Sequence, residues 1–170
     1  MNTLELNGKK YKLVEIEEEP KPRKTGYERK LNDTYYMDIS GGVILTTDRN
    51  FSADFAAFES ANYYTDAQLA KDTARADALM RNLRRFSAEG RKKAMSWSGR
   101  TFTKYSLFFD YGVNVISISS SCMLRVFGGV CFDTHELAEA AIEKYRDELM
   151  WYFTEYQDTA EFREDVQADD

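Results

Sequence analysis

The side chains best suited to binding a charged ligand are concentrated in one stretch of this sequence, RNLRRFSAEGRKK at residues 81–93. It contains one acidic residue, Glu89, and six basic ones: Arg81, Arg84, Arg85, Arg91, Lys92 and Lys93. Clustered basic side chains can contact successive phosphates, and Trp97 just beyond them could stack on a nucleic acid base. The alternative is a solvated helix end, where cations complement the negative end of the helix dipole.

Other residue types with catalytic potential lack suitable partners. The single histidine, His135, has no serine, cysteine or carboxylate at a spacing typical of a catalytic pair. Cys122 and Cys131 are not spaced as zinc ligands, and one histidine cannot complete such a site. The glycine pairs at 41–42 and 128–129 lack a phosphate-loop context. We therefore expect a protein that is not an enzyme, with no catalytic or metal-binding residues and no cofactor.

The basic stretch lies at the end of a predicted amphipathic helix. Thr65 and Gln68 fit a capping box at its start, and Gly90 is a typical C-terminal stop after Glu89. One apolar face is predicted from Leu69, Thr73, Ala76, Met80, Leu83 and Phe86. The three arginines at 81, 84 and 85 share another face, because residues at i, i+3 and i+4 point together.

A second amphipathic helix is predicted from a cap at Asp133, with Glu136 at the box position, to about Glu155. The segments VCFDTHELAE at 130–139 and ANYYTDAQLA at 61–70 match in plan, each a short strand followed by a capped helix. This similarity is equally compatible with a duplication and with two unrelated capped helices. Both junctions are expected to build the fold rather than to perform chemistry.

The remaining elements are predicted strands. Residues 101–111, 113–120 and 125–132 read as three strands, the last bulged at its glycine pair. The sequence therefore predicts an α+β fold: a β-α-β-β-β-α core with two amphipathic helices on one face of a mostly antiparallel, mixed sheet. Phe51, Phe55 and Phe58 are spaced for a short helical turn that packs on this core.

Three regions are predicted along the chain. Residues 1–50 form β-hairpins, one at 3–16 turning at Asn7-Gly8 and one at 34–47 turning at Gly41-Gly42, joined by a linker at 17–26. Residues 51–156 form the α+β core domain. Residues 157–170 form an acidic, flexible tail that carries a charge of −5 out of the net −6, so the body is almost neutral.

The N-terminus has no apolar segment typical of a signal peptide, and no apolar run is long enough to span a membrane. The chain has 170 residues, 43% of them hydrophobic, which suffices for a core without disulfides. We expect a cytoplasmic protein that does not bind membranes.

The order of several motifs resembles a set of phage proteins. These motifs are ANYYTDAQLA leading to LRRF, then KYSLFFDYG, then CFDTHELAEAAIEKYRDELMWYF, which together span about residues 60–156. They are similar to small uncharacterised accessory proteins of phages and prophages in Firmicutes. The acidic-residue-to-Tyr-Asp hairpin of the usual pattern is represented here by Asp110-Tyr111, and its Glu-rich helix start is altered to Asp66-Ala67-Gln68.

This resemblance implies a role in antagonising host defence, in the cytoplasm of a bacterial host. Such accessory sets include anti-CRISPR proteins, which block the RNA-guided nuclease of type II systems by stoichiometric binding. A similar role implies a host protein or ribonucleoprotein as partner, with RNA or nucleotide contact through the basic residues and Trp97. Two alternatives stay open: a sponge for a defence signalling nucleotide, with a pocket lined by Tyr63, Tyr64 and the Arg81–Arg85 face, and a phage structural or assembly protein.

Overall fold

The computed structural model describes residues 3–6, 9–12, 25–40, 42–92, 102–122 and 128–160. The strands are β1 (Thr3–Leu6), β2 (Lys9–Lys12), β3 (Thr34–Ile39), β4 (Gly42–Thr47), β5 (Lys104–Asp110), β6 (Val115–Ser121) and β7 (Cys131–Phe132). The helices are α1 (Ser52–Glu59), α2 (Ala67–Gly90), α3 (His135–Lys144) and α4 (Arg146–Thr154). The predicted α+β class is confirmed.

Both predicted N-terminal hairpins are present. β1 pairs antiparallel with β2, with Leu6 opposite Lys9, and the turn residues 7–8 lie outside the described residues. β3 pairs antiparallel with β4, and Ile39 stands opposite Gly42. The sequence analysis placed Gly42 in the turn, but Gly42 belongs to strand β4. Ser40, in the left-handed region at φ 56°, takes the first turn position instead.

The remaining strands form one antiparallel sheet in the order β6-β5-β7, so within the described residues no mixed sheet is formed. Because side chains alternate along a strand, Leu107 and Phe109 of β5 share a face with Ile116 and Ile118 of β6. This face packs against α2, α3 and α4. The cluster that we call the main core comprises Leu79, Leu83, Phe109, Ile116, Phe132, Ala138, Ala141 and Leu149.

β7 is shorter than the strand predicted at 125–132. Residues 125–127 lie outside the described residues, and of 128–132 only Cys131 and Phe132 pair with β5. Gly128 adopts φ 74°, a conformation that interrupts an extended strand. β5 is consequently covered by β7 only opposite Tyr105 and Ser106.

The strand predicted before α2 is reduced to a single bridge between Tyr64 and Tyr36 of β3. Ala61, at φ 55°, breaks the extended backbone just before it. The side chain of Asn62 then substitutes for a strand, since its Oδ1 accepts from the Asp38 amide at 2.8 Å and its Nδ2 donates to the Asp38 carbonyl at 3.0 Å. Segment 62–64 thereby attaches β3 to the start of α2.

Both predicted helix caps were placed one residue too early. The cap of α2 is Asp66, whose carboxylate accepts from the Leu69 amide at 2.6 Å, and the cap of α3 is Thr134, which accepts from Leu137 at 3.1 Å. The side chains predicted as caps are engaged elsewhere: the Thr65 hydroxyl donates to Glu28 at 3.4 Å, and the Asp133 carboxylate accepts from the Lys92 amide. Each true cap lies three residues before the amide that it satisfies.

The second predicted helix is not continuous but is divided at Tyr145 into α3 and α4. Tyr145 adopts the non-helical angles φ −114° and ψ 23°. The helical hydrogen bonds nevertheless continue across it, because the Tyr145 amide donates to the Ala141 carbonyl and the Leu149 amide donates to the Tyr145 carbonyl. Arg75 of α2 fixes α4, because it binds Glu148 at 2.8 Å and lies 3.9 Å from the centre of the Trp151 ring.

The prediction that Phe51, Phe55 and Phe58 pack on the core is wrong. Phe55 and Phe58 lie in α1 and Phe51 is its N-cap residue, but Phe51, Phe55 and Phe58 are 62%, 43% and 42% exposed. The buried residues of α1 are instead Asp54 and Ala57. Asp54 is buried because its carboxylate accepts from two backbone amides and a tyrosine hydroxyl, so hydrogen bonding rather than apolar pattern decides which side of α1 faces inward.

Candidate functional site

α2 presents three of the predicted basic residues on its solvent side, and two more follow directly after its last residue, Gly90. In the C-terminal half of this helix Leu79, Leu83 and Ser87 are all buried, at the spacing of one helix face. The residues that we call the basic surface point elsewhere and are all exposed: Arg81, Arg84, Arg85, Arg91 and Lys92. Lys93 and Trp97, also predicted for this site, lie outside the described residues.

The cations of the basic surface are only weakly engaged within the chain. Arg85 lies 4.0 Å from Glu89 and 3.3 Å from Asn82, and both members of the ion pair are exposed. Arg91 donates to the Ser87 hydroxyl at 3.4 Å. In the described parts of the chain Arg81 and Arg84 form no ion pair. An external anion would therefore have few internal carboxylates to displace.

The C-terminal end of α2 is held firmly against the start of α3. The Ser87 hydroxyl donates to the Cys131 carbonyl at 2.5 Å, and the Lys92 amide donates to Asp133 at 2.9 Å. Gly90 permits this approach, because a Cβ at that position would stand 2.4 Å from Leu137 Cδ1. The basic surface thus sits on an anchored helix end.

His135 is exposed in the first turn of α3. Its Nδ1 lies 3.4 Å from a Glu139 oxygen, and its ring meets the Tyr105 ring edge-on at 5.7 Å. In the described parts of the chain, no three His, Cys, Asp or Glu side chains come close enough together to hold a metal ion. The absence of catalytic activity stays a prediction.

A buried polar cluster, which the sequence analysis missed, joins the segment before β3 to β4 and α1. Arg29 Nε donates to Asp48 Oδ2 at 2.7 Å, and Arg29 also donates to Asp48 Oδ1 at 3.0 Å. The Tyr35 hydroxyl donates to Asp54 at 2.8 Å. The Tyr35 and Tyr63 rings stack at 4.0 Å. No local sequence signal marks this cluster, because its ion pair joins residues nineteen positions apart.

The two carboxyl groups of this cluster are held in the charged form. The hydrogen bonds from Arg29 lower the pKa of Asp48, and the amide of Phe51 lowers the pKa of Asp54, against the opposing effect of burial. Burial raises the pKa of Tyr35 to about 12. Groups with these shifts are far from the pKa near neutrality that suits a general acid or base, so the cluster has the properties of a structural element.

We expect the polar cluster to make stability depend on acid pH. A carboxyl group whose folded pKa is lowered stabilises the fold above its unfolded pKa of about 3.9, and this contribution is lost as the pH falls through the folded pKa. Titration of these two groups should therefore change the melting temperature little between pH 7 and pH 5. Once the pH is below about 4, the melting temperature should decrease. Thermal melts followed by circular dichroism at pH 6 and pH 3 measure this.

A matched substitution assigns the pH effect. Asp48→Asn should lower the melting temperature at pH 6 and reduce the difference between pH 6 and pH 3, because the group that titrates has been removed. Asp147→Asn, at an exposed position of α4, should leave both values unchanged. An undiminished pH difference in the Asp48→Asn protein would contradict the role given to Asp48.

The nucleotide pocket expected from Tyr63, Tyr64 and the Arg81–Arg85 face is not formed. Tyr63 and Tyr64 are both buried, and the Tyr64 ring packs against Tyr27 at 5.3 Å. Both tyrosines precede α2, whose axis rises roughly 21 Å between Ala67 and Arg81. The tyrosines and the arginines therefore cannot line a common site.

The chain matches no family model, no curated protein and no solved structure with which it has been compared. The resemblance to phage accessory proteins therefore stays a prediction carried by the motifs themselves. None of the helices in the described residues has the combination of length and apolar character that a bilayer span requires. The acidic tail is described only to residue 160, and its predicted flexibility stays untested.

Proposed function

We propose that this chain is a phage-encoded or prophage-encoded antagonist of host defence, which inhibits an RNA-guided nuclease by stoichiometric binding. The basic surface contacts RNA phosphates of the ribonucleoprotein, and no chemical step is needed. The expectation of a nuclease as target comes from the motif order. The observation that carries the mode of binding is the basic surface itself.

Three properties of the basic surface support an RNA contact. Its five cations fall within twelve residues, 81–92, in a body of almost neutral charge, so the positive potential is local. Four of them are arginines, whose planar guanidinium groups pair with phosphate through two hydrogen bonds. The helix end that carries them is anchored by Ser87 and by the Lys92 amide, which limits the entropy lost on binding.

Charge reversal tests this proposal directly. Arg84→Glu combined with Arg85→Glu should weaken binding to a guide-loaded type II nuclease at least tenfold, about 1.4 kcal/mol. Both side chains are exposed, so the melting temperature should change little. Cleavage assays at increasing ratios of inhibitor to nuclease give the readout, and the wild-type chain should abolish cleavage near one to one.

A control variant separates a local effect from a change in overall charge. Lys71→Glu combined with Arg146→Glu alters the net charge by the same amount at two other exposed positions. It should inhibit like the wild-type chain. If the Arg84 and Arg85 variant folds and also inhibits like wild type, the basic surface is only a solvated helix end.

Salt and guide dependence distinguish RNA from a protein target. Phosphate contact predicts that log affinity falls with log salt by about 0.7 to 0.9 for each neutralised phosphate, and that binding requires the loaded guide. A milder salt effect, equal binding to the guide-free nuclease and one dominant arginine would indicate an acidic protein surface instead.

A structural or assembly role in the phage particle is the second candidate, and the exposed stripe of Phe51, Phe55 and Phe58 favours it. These exposed aromatic side chains, two in α1 and one at its N-cap, present apolar surface of the kind found where subunits associate. Sedimentation of the purified chain separates the two functions, because an assembly protein forms large oligomers alone. The nucleotide-sponge hypothesis is not carried further, because the pocket that it expected from Tyr63, Tyr64 and the Arg81–Arg85 face is not formed.

A further inference from the structure

The outer edge of β4 lacks the features that usually protect a strand edge. β4 pairs with β3 on one side, and no other strand in the described residues pairs with it. Edge strands in natural proteins commonly carry a charged side chain, a proline or a bulge that prevents further pairing. The sequence of β4, GVILTT, contains neither a charged residue nor a proline, and all its residues pair with β3 without a bulge. This edge is therefore open to a further strand.

The hydrogen bonds of β3 reveal how the main-chain groups of this hairpin are oriented. In an antiparallel pair, residues that bond to the partner strand alternate with residues that point away from it. Tyr36 exchanges backbone hydrogen bonds with Tyr64, at 2.7 and 2.9 Å, and Asp38 bonds to the side chain of Asn62, at 2.8 and 3.0 Å. The amides and carbonyls of Tyr36 and Asp38 therefore point away from β4.

The same alternation applies to the register partners of these residues in β4. Leu45 stands opposite Tyr36 and Val43 stands opposite Asp38, so the amides and carbonyls of Leu45 and Val43 point to the outer edge. Thr47, two residues further on, is oriented in the same way. In the described parts of the chain these outward groups have no backbone partner. The edge thus presents a donor and an acceptor at every second residue.

Two apolar side chains beside this edge are exposed, one on each face of the hairpin. Leu45 is 56% exposed on the face where Val43 packs against the start of α2. Ile44 is 43% exposed on the opposite face, where Met37 packs against the cluster that contains Ala57 of α1. A further strand beside β4 would shield both exposed side chains from water, which favours pairing.

We propose that two copies of this chain dimerise by antiparallel pairing of their β4 strands about a twofold axis at Leu45, which joins the two hairpins into one four-stranded sheet. Only residues that point to the outer edge can form hydrogen-bonded pairs with the second copy, and Leu45 is the middle one of three. An axis at Leu45 pairs Val43 with Thr47, Leu45 with Leu45 and Thr47 with Val43. An axis at Ile44 or Thr46 would form only two such pairs within the strand.

A second copy is the partner that fits this edge in charge and in shape. β4 carries no charge, so its pairing with itself places no like charges opposite each other, and the almost neutral body of the chain limits repulsion between copies. The contact uses the same edge on both copies and therefore closes at two chains. A single strand edge buries less than the roughly 800 Å² per partner of a standard interface, so a dissociation constant on the order of 10 µM is expected.

This dimer is independent of the proposed nuclease contact. No residue of the basic surface belongs to β4, so each chain in the dimer keeps its own RNA contact. The Arg84→Glu and Arg85→Glu variant should dimerise like wild type, and a monomeric variant of β4 should still inhibit the nuclease. Failure of either proposal therefore leaves the other standing.

Sedimentation velocity of the full-length chain between about 1 and 500 µM tests the association, and the wild-type chain should pass from monomer to dimer without larger species. Leu45→Lys places two like charges opposite each other on the axis and should raise the dissociation constant at least tenfold. Val113→Lys makes the same change in charge at an exposed position between β5 and β6 and should dimerise like wild type. A chain that stays monomeric throughout this range would leave the edge to a strand of another protein and refute the proposal, as would a Leu45→Lys variant that dimerises like wild type.

Mixing variants of opposite charge locates the axis. Leu45→Glu should also be monomeric alone, but an equimolar mixture with Leu45→Lys should associate again, because a lysine then faces a glutamate. This recovery requires that residue 45 face its own counterpart. If both variants fold and their mixture stays monomeric, the axis does not lie at Leu45 and the proposed pairing is wrong.

Hydrogen exchange of alternate amides in β4 tests the pairing without any substitution. The amides of Val43, Leu45 and Thr47 should exchange fast at low protein concentration and severalfold more slowly at high concentration, because only the dimer gives them acceptors. The amides of Ile44 and Thr46, which point to β3, serve as internal controls and should be protected at both concentrations. Exchange of the outward amides that does not depend on concentration would contradict the proposal.

Discussion

Phe132→Ala is expected to lower the free energy of unfolding by about 3–5 kcal/mol, among the largest effects of any single substitution in this chain. Phe132 is 0% exposed and stands opposite Tyr105 at the edge of the three-stranded sheet. Its ring is the contribution of β7 to the main core. Removing it leaves a void that neighbours on three helices and two strands can fill only in part.

Urea denaturation followed by circular dichroism measures this loss. Phe102→Ala is the matched control, because it removes the same side chain from an exposed position just before β5 and should change stability by no more than about 0.5 kcal/mol. A loss below about 1 kcal/mol for Phe132→Ala would mean that β7 does not pack on the main core.

Helix existence could be read from the sequence, but the first residue of each helix could not. The apolar periodicity of α2 and the stop at Gly90 predicted its length within two residues. Thr65 and Asp133 have good capping side chains, yet each is followed by a second good capping residue, Asp66 or Thr134. Distant partners decide between the neighbours: the Thr65 hydroxyl binds Glu28, and the Asp133 carboxylate binds the Lys92 amide. Such contacts have no local signal.

Periodicity also predicts that residues share a face without predicting the direction of that face. Phe55 and Phe58 do share a face of α1, and Phe51 precedes them at the N-cap. Asp54 is nevertheless the residue that turns inward, because Tyr35 and two backbone amides satisfy its carboxylate. An apolar stripe and a buried carboxylate compete for the interior of a short helix. The sequence shows only the first of these two effects.

For the basic surface too, the sequence predicted which residues are exposed but not the contacts that hold them in place. The exposure of Arg81, Arg84 and Arg85 followed from the apolar face of α2, because a buried stripe on one side of a helix leaves the other side to solvent. The anchoring of the helix end by Ser87 did not follow, since it depends on the Cys131 carbonyl 44 residues away.

Leu69→Ala should cost about 2–5 kcal/mol and should reveal how the two halves of the molecule are coupled. Leu69 is fully buried at the start of α2, in a cluster with Tyr64 and Ala70 that also receives side chains of β3 and β4. The other end of the same helix packs into the main core through Leu83. Leu45→Ala, at an exposed position of β4, is the control and should change stability by about 0.5 kcal/mol or less.

Hydrogen exchange measured separately on β3 and β5 reports the coupling. Because α2 is one continuous helix of 24 residues that contributes to both clusters, we expect the two ends to unfold together. The amides of β5 should then lose the same free energy of protection as those of β3 when Leu69 is truncated. If β3 alone loses protection, the hairpin of β3 and β4 opens independently of the main core. The predicted division of the chain near residue 50 would then describe a real boundary of stability, with α2 fraying at its N-terminal end when the hairpin detaches.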